Sequence, residues 1–385
     1  MLKNNKTVLL IIGIALFVKL SLFVYMSIFN PQGRMLPDSA DYLNTASLLA
    51  EQGVFAQVNN GQLQYEFFRT PGYPLFLGIF HNLLKIPLAG VIFLQVLMGA
   101  AVAWITYRIA LLIDKRIAFL SAIIVLFSLP VTVSSLLILT DTLFVFLISL
   151  FIWAFIKHLK NREIKFAACS AVFLALATYV RPISYYLGIL AAIFILYAHL
   201  GKNFRKTVFS AAVFLLVAFG LTAIWQWRNY QHFQRFVFTS IQLDYRSFPI
   251  FEYYAKNSFP VAEGGLPVFS YINAAWHCFL SLMTRPGTLK YLHCYPLAVA
   301  GKIFGYPFMV FWWIGFLAGL LKLKSNIFYQ FIFLVIAYFV FLTIAVIASS
   351  CGERYLVPMV PLIAIISAAG WIRLKDHFIP DKGIA

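Results

Sequence analysis

Apolar runs recur along this chain at the length a lipid bilayer demands, and no other feature restricts the fold so tightly. A hydrocarbon core about 30 Å thick needs about 20 helical residues to cross it. Residues 7–29, 87–113, 117–136, 142–155, 166–179, 185–200, 208–225, 304–321, 327–348 and 356–371 meet or approach that requirement. They predict an all-α, polytopic membrane helix bundle of about ten transmembrane helices. With 62% hydrophobic and only 11% charged residues, the chain has more apolar surface than one water-soluble core can hide. The start of the chain imitates a signal peptide, but its apolar run is too long and lacks a small-x-small cleavage site, so it reads as an uncleaved first span.

The formal net charge of +17 would suggest nucleic acid as the partner of a soluble protein. Here the basic residues fall in short clusters between apolar runs, with no basic stripe or aromatic platform, which points to membrane lipids and excludes nucleic acid. More than half of the 30 Lys and Arg residues fall on one set of alternating connections if the N-terminus starts inside. That assignment predicts a multi-pass protein of a bacterial inner membrane with both termini cytoplasmic. It leaves two long extra-cytoplasmic segments, about 30–86 and about 227–303, both rich in Phe and Tyr. Interfacial helices are expected in them. Residues 1–385 then form a single transmembrane module, and a separate soluble C-terminal domain is not expected.

Polar residues gather at the outer junctions. Asp38, Asp41 and Tyr42 share a helical face by their spacing, with Asp38 or Ser39 a candidate helix cap. Arg69 precedes Pro71-Gly72-Tyr73-Pro74, a turn that aims the chain back at the membrane, where a guanidinium either grips phosphate or snorkels to headgroups. Asp141 is either a cap for the helix that follows or a carboxylate with a distant partner. Arg181, Arg228 with Tyr230, and Arg354 with Tyr355 complete the set. Six junctions on one side of a membrane suit a pocket for an anionic, lipid-linked ligand with acids beside it.

No His-x-x-x-His or Cys-x-x-Cys spacing occurs, so histidine or thiolate metal sites are not expected. Asp38 with Asp141 offers oxygen ligands for one divalent cation. Cys278 and Cys294 either pair in an oxidising compartment or stay separate buried thiols. No Walker A sequence or Gly-x-Ser-x-Gly elbow is present, so activation must arrive with the substrate.

Taken in order, Asp38-x-x-x-Tyr42, Arg69-Thr70-Pro71-Gly72-Tyr73-Pro74, Thr140-Asp141-Thr142-Leu143-Phe144, Tyr179-Val180-Arg181-Pro182, Trp227-Arg228-Asn229-Tyr230 and Glu353-Arg354-Tyr355-x-x-Pro358 resemble the GT-C glycosyltransferases. Within that superfamily they are most similar to bacterial members related to protein O-mannosyltransferases and to the lipid A aminoarabinose transferase. The resemblance implies transfer of a sugar from a polyprenyl-phosphate carrier to a lipid, polysaccharide or protein acceptor at the outer face of the membrane. It also implies that Asp38 acts as general base at the acceptor, that Asp141 is the second-loop acid and that Arg69 contacts the carrier phosphate. Arg181, Arg228 and Arg354 join Arg69 by their charge, and Tyr42, Tyr73, Tyr230 and Tyr355 are expected to line the substrate pocket. Asp41, a second acid where many relatives have none, leaves the base open between Asp38 and Asp41. A flippase for a lipid-linked sugar also needs cations near an anionic head. Such proteins place ionisable groups near the midplane, whereas here Lys19 alone lies deep in a span.

Overall fold

In lipid every backbone polar group must be satisfied internally, so the apolar runs resolve as helices. The computed structural model describes residues 5–59, 61–200, 203–239, 267–285, 295–347 and 353–378. Its elements begin with α1 (Asn5–Phe29), α2 (Pro37–Gln52), β1 (Ala56–Asn59), β2 (Gln62–Tyr65), α3 (Gly72–Leu77), α4 (Leu88–Ile113), α5 (Ala118–Leu126) and α6 (Leu129–Ser135). They continue with α7 (Asp141–Asn161), α8 (Ile164–Val180), α9 (Leu187–Ala198), α10 (Phe204–Phe233), α11 (Pro267–Thr284), α12 (Tyr295–Leu320), α13 (Ile327–Ile347) and α14 (Val360–Phe378). Among the described residues, 6 helices are long and apolar enough to cross a membrane, and α5 with α6 makes up to 7. Shorter apolar helices at Gly13–Phe29, Ile164–Val180 and Pro182–Ala198 lie where the sequence places further spans.

Two expectations need correction. Residues 117–136 do not form one straight span, because α5 and α6 meet at a 53° bend. Pro130 is the cause: it has no N–H to continue the first helix, and Ser128 is extended ahead of it. The segment after α6 is non-helical but buried in protein, a setting in which a membrane fold tolerates such backbone. Secondly, the first long segment is not helical throughout. β1 and β2 form an antiparallel hairpin with Gln57 opposite Gln64, closed by Gly61 at a φ of +77° that side chains disfavour.

The helices pack by two devices. Near the centre, rings fill the space between α7, α10 and α13: Phe155 stacks on Phe331 with centroids 4.2 Å apart, and Phe151 and Phe214 pack beside them. Between α12 and α14 the backbones themselves touch. A Cβ on Gly370 would fall on the Gly315 carbonyl oxygen, and one on Gly319 would fall on that of Ile366. Small residues spaced four apart permit this approach where lipid supplies no hydrophobic drive between helices. Lys19 of α1 is buried and donates from Nζ to Thr132 Oγ1 at 2.6 Å, tying α1 to the bent segment.

Candidate active site

At the end of the bundle that carries the hairpin, α2 begins at Pro37, and its first turn is fastened to the irregular segment that precedes α7. The Ser39 hydroxyl accepts the Leu36 N–H at 2.9 Å and donates to the Ile138 carbonyl at 2.8 Å, while the Ile138 N–H reaches the Arg34 carbonyl at 3.0 Å. The capping role considered for Asp38 is therefore not observed: Leu36 is the N-cap residue, and Asp38 is left to face outward from the first turn. Asp41 follows one turn later on the same face.

The turn bearing Arg69 is held from both sides. The buried Glu66 carboxylate accepts the N–H groups of Phe68 and Arg69 at 2.6 and 2.9 Å. Thr70 Oγ1 donates to the Val180 carbonyl at 3.0 Å. Gly72 sits so close to α8 that a Cβ would lie 2.7 Å from the Tyr179 backbone. The loop is thereby pinned beside Arg181, which terminates α8.

These supports bring six charged groups into one alternating chain. Arg69 Nη2 donates to Asp38 Oδ1 and to Asp41 Oδ2, each at 2.9 Å, and Nη1 approaches the Tyr42 hydroxyl at 3.4 Å. Arg354 Nη1 donates to Asp38 Oδ2 at 3.2 Å, and its Nε stands 3.7 Å from Asp141 Oδ2, within ion-pair but not hydrogen-bond range. Arg181 Nη1 donates to Asp141 Oδ1 at 2.7 Å. Asp141 is fully buried and opens α7; it is answered by a distant cation and does not serve as a mere cap. With three carboxylates and three guanidinium groups the cluster is formally neutral.

Electrostatics follow the geometry. Burial pushes the Asp38 carboxyl up, but Arg69 and Arg354 outweigh it and hold the group below the ordinary carboxylate value. Burial pulls Arg69 down, yet the Asp38 and Asp41 carboxylates leave it above its usual value, so it stays charged at any working pH. Burial raises the Tyr42 phenol, which stays neutral and able to donate.

The remaining expected residues have other places. Tyr73 is fully buried, edge-on to Tyr42 at 5.2 Å, and donates to Gln95, which in turn donates to the Leu137 carbonyl at 2.7 Å; it supports the site from beneath. The Tyr355 ring lies under both Arg181 and Arg354, at 5.6 and 5.7 Å. Arg228 is not part of the cluster. Its guanidinium donates to the Glu66 and Phe55 carbonyls at 2.8 and 2.9 Å and is boxed by the Phe55, Trp225 and Phe233 rings, so it clamps the base of the hairpin. Tyr230 is exposed and stacks on Trp227. Cys278 is buried and disulfide-bonded, and Cys294 lies outside the described residues.

Asp38 and Asp141 are bridged by Arg354, and no group of three His, Cys, Asp or Glu able to hold a metal occurs among the described residues. The donor set does not fit a cation. Beside the cluster, Asp41 and Arg69 open onto a cavity of about 360 Å³ walled by the hairpin. Gln57 and Gln64 on that wall were missed by sequence reasoning. The signal was available in Asn59-Asn60-Gly61 followed by the alternation Gln62-Leu63-Gln64-Tyr65.

Residues 69–227 match the family model of the dolichyl-phosphate-mannose-protein mannosyltransferases. The fold is similar to that of the apo oligosaccharyltransferase of Archaeoglobus fulgidus, with a TM-score of 0.63 and 13% identity over 98% of this chain and 51% of that one. It is also similar to AglB of the same organism in complex with an inhibitory peptide and a dolichol-phosphate, with a TM-score of 0.61 and 14% identity over 98% of this chain and 51% of that one. ArnT from Cupriavidus metallidurans bound to undecaprenyl phosphate aligns with a TM-score of 0.56 and 14% identity over 96% of this chain and 61% of that one. The chain thus spans about half the length of the oligosaccharyltransferases it resembles. No curated protein sequence matches it. The polytopic membrane helix bundle expected from the sequence is borne out, with a fold similar to that of these solved proteins, and the resemblance read from the sequence agrees with the family model matched over residues 69–227.

Proposed function

We propose that this chain is a membrane glycosyltransferase that moves a sugar, with inversion, from a polyprenyl-phosphate carrier to an extra-cytoplasmic acceptor at a bacterial inner membrane. The observation that carries this reading is the alternating chain from Asp41 through Arg69, Asp38, Arg354 and Asp141 to Arg181 at one end of the bundle. The orientation rests on the basic connections, which hold the termini in the cytoplasm and put the cluster outside. Support for the carrier comes from ArnT bound to undecaprenyl phosphate and AglB with dolichol-phosphate, which share the fold.

The chemistry follows from what a phosphate would do to the cluster. A prenyl phosphate leaves as an anion, and its charge grows as the anomeric C–O bond breaks. Guanidinium groups fixed beside it therefore stabilise the transition state more than the ground state. Arg69 and Arg354, which both hold Asp38, turn their forks to the phosphate when the carrier binds. Asp38 loses the partners that depress its basicity and gains the strength to take the acceptor proton. The acceptor oxygen then forms its bond to the anomeric carbon from the opposite face, the carbon–phosphate oxygen bond breaks, and the electron pair leaves on the phosphate. Asp141 keeps Arg181 and, being buried, holds the far end of the chain in place.

The test is transfer of radiolabelled sugar from carrier to acceptor in reconstituted membranes. Asp38→Asn is expected to lower turnover by about 10²–10⁴ while leaving a folded protein. Turnover that survives in Asp38→Asn and is lost in Asp41→Asn would move the base to Asp41; survival in both would refute the mechanism. Carrier redistribution without covalent sugar on any acceptor would make the protein a flippase.

A further inference from the structure

The cavity beside Asp41 is a built site. Its hairpin wall is fixed before any ligand arrives: the Glu66 N–H donates to the Phe55 carbonyl at 3.1 Å, Arg228 clamps both of those carbonyls, Phe67 stacks on Phe233 at 4.2 Å, and Tyr65 stacks on His232 at 4.1 Å. In antiparallel pairing, residues directly opposite each other present their side chains on one face. Gln57 and Gln64 are such a pair, and both line the cavity. Asp41, with its carboxylate 41% exposed, and the half-exposed ring of Phe68 line it as well.

The chemistry of this lining is selective. Amide side chains offer both donors and acceptors, a carboxylate accepts from hydroxyl groups, and aromatic faces receive the C–H surface of a ring. The one cation in the lining, Arg69, is shared between Asp38 and Asp41, so an anionic ligand has to displace carboxylates to reach it, whereas an uncharged ligand displaces neither. An extended peptide recognises a sheet by its edge, through backbone hydrogen bonds. Here the cavity is bounded by a hairpin face, which offers side chains instead. Its volume of about 360 Å³ is in the range of small-ligand pockets.

We infer that this cavity binds an uncharged saccharide, held by Gln57, Gln64 and Asp41 beside the half-exposed Phe68 ring, and that this saccharide is the acceptor of the transfer. The second clause rests on the glycosyltransferase reading; the first does not. Asp41 orients the acceptor hydroxyl next to Asp38, which takes its proton.

The experiment uses the full chain in lipid nanodiscs. Calorimetric titration with neutral tetrasaccharides of glucose, mannose and galactose is compared with titration by a Ser/Thr-rich peptide and by lipid A. Binding of at least one tetrasaccharide is expected, weakened about 10-fold or more in the Gln57→Leu/Gln64→Leu double variant. The wild-type thermal transition is expected in that variant, since both residues lie on a surface hairpin. In the transfer assay the same variant is expected to raise the Michaelis constant for the acceptor and not for the carrier. Failure of every tetrasaccharide to bind, equal binding by the variant, or preference for the peptide or lipid A would overturn the inference. A raised constant for the carrier alone would reassign the cavity to the donor sugar and overturn it too. Saccharide binding that depends on Gln57 and Gln64, without transfer from any polyprenyl-phosphate sugar, would uphold the cavity and refute the enzyme.

Discussion

Replacing Arg69 by Ala separates what the cluster does for the fold from what it does for the reaction. In the free protein Arg69 makes two charge-assisted hydrogen bonds at 2.9 Å, to Asp38 and Asp41. Asp38 keeps Arg354 when Arg69 is gone, and Asp41 is open enough for water to replace the lost donor. The cost in stability is therefore small, about 1–2 kcal/mol. The cost in rate is larger, because a guanidinium aimed at a departing phosphate contributes about 2.7–4 kcal/mol, or about 10²–10³ in kcat. Arg69→Lys keeps the charge but loses the planar fork, and about a 10-fold loss is expected. The pH dependence gives a second reading. Asp38 sits below its ordinary value partly because of Arg69. Removing that cation moves the acidic limb of kcat/KM to higher pH. By the same sign, stability from the Asp38 pairs is present above the unfolded carboxylate value of about 3.9 and is lost as pH falls through the depressed folded value. Initial rates with a polyprenyl-phosphate sugar in proteoliposomes, taken beside thermal unfolding, decide the matter. A kcat for Arg69→Ala within about 3-fold of wild type, a change below 1 kcal/mol in barrier, would reduce Arg69 to a structural clamp.

Other substitutions probe the supports. Arg228→Ala releases the hairpin base, so the acceptor Michaelis constant should rise by about 10-fold with the carrier constant unchanged; the opposite pattern would return Arg228 to the phosphate site. Gly370→Leu drives a side chain into the Gly315 carbonyl, and a loss of about 1–3 kcal/mol or more is expected in detergent unfolding; wild-type stability would mean that α12 and α14 do not touch. Lys19→Met should leave turnover within about 3-fold and stability unchanged or higher. Lys19 has no carboxylate partner among the described residues, and Thr132 still donates to the Ser128 carbonyl at 2.9 Å. Abolished transfer in Lys19→Met would give that buried amine a role the mechanism lacks.

The helices were legible because bilayer thickness leaves a chain few choices, and the charge bias between them gave a frame in which five of the six outer junctions singled out converge. Asp38, Arg69, Asp141, Arg181 and Arg354 do meet, since each stands at the end of a helix or on a turn pinned to one. The bend between α5 and α6 was written at Pro130, but an apolar run that long outweighs one proline when span length is the filter. The hairpin was hidden for a related reason. Its strands are four residues each, so the Asn59-Asn60-Gly61 turn and the short alternation after it were outweighed by an aromatic-rich interfacial pattern.

Arg228 is the instructive failure, since its sequence setting is as suggestive as that of Arg354. Both are lone cations beside a tyrosine or tryptophan at a membrane boundary. What separates them is the partner, which no local pattern encodes. Arg354 faces carboxylates 3.2 and 3.7 Å away, contributed by α2 and α7, groups that exchange with an incoming anion at little cost. Arg228 faces two backbone carbonyls of the hairpin. Drawing it away would cost the buried Glu66 carbonyl this donor, at about 1–3 kcal/mol, and leave the Phe55 carbonyl with the Glu66 N–H alone. A guanidinium held by carboxylates is available to a phosphate, whereas one held by backbone is committed to the fold, and that difference separates an arginine the proposed transfer can use from one the hairpin needs.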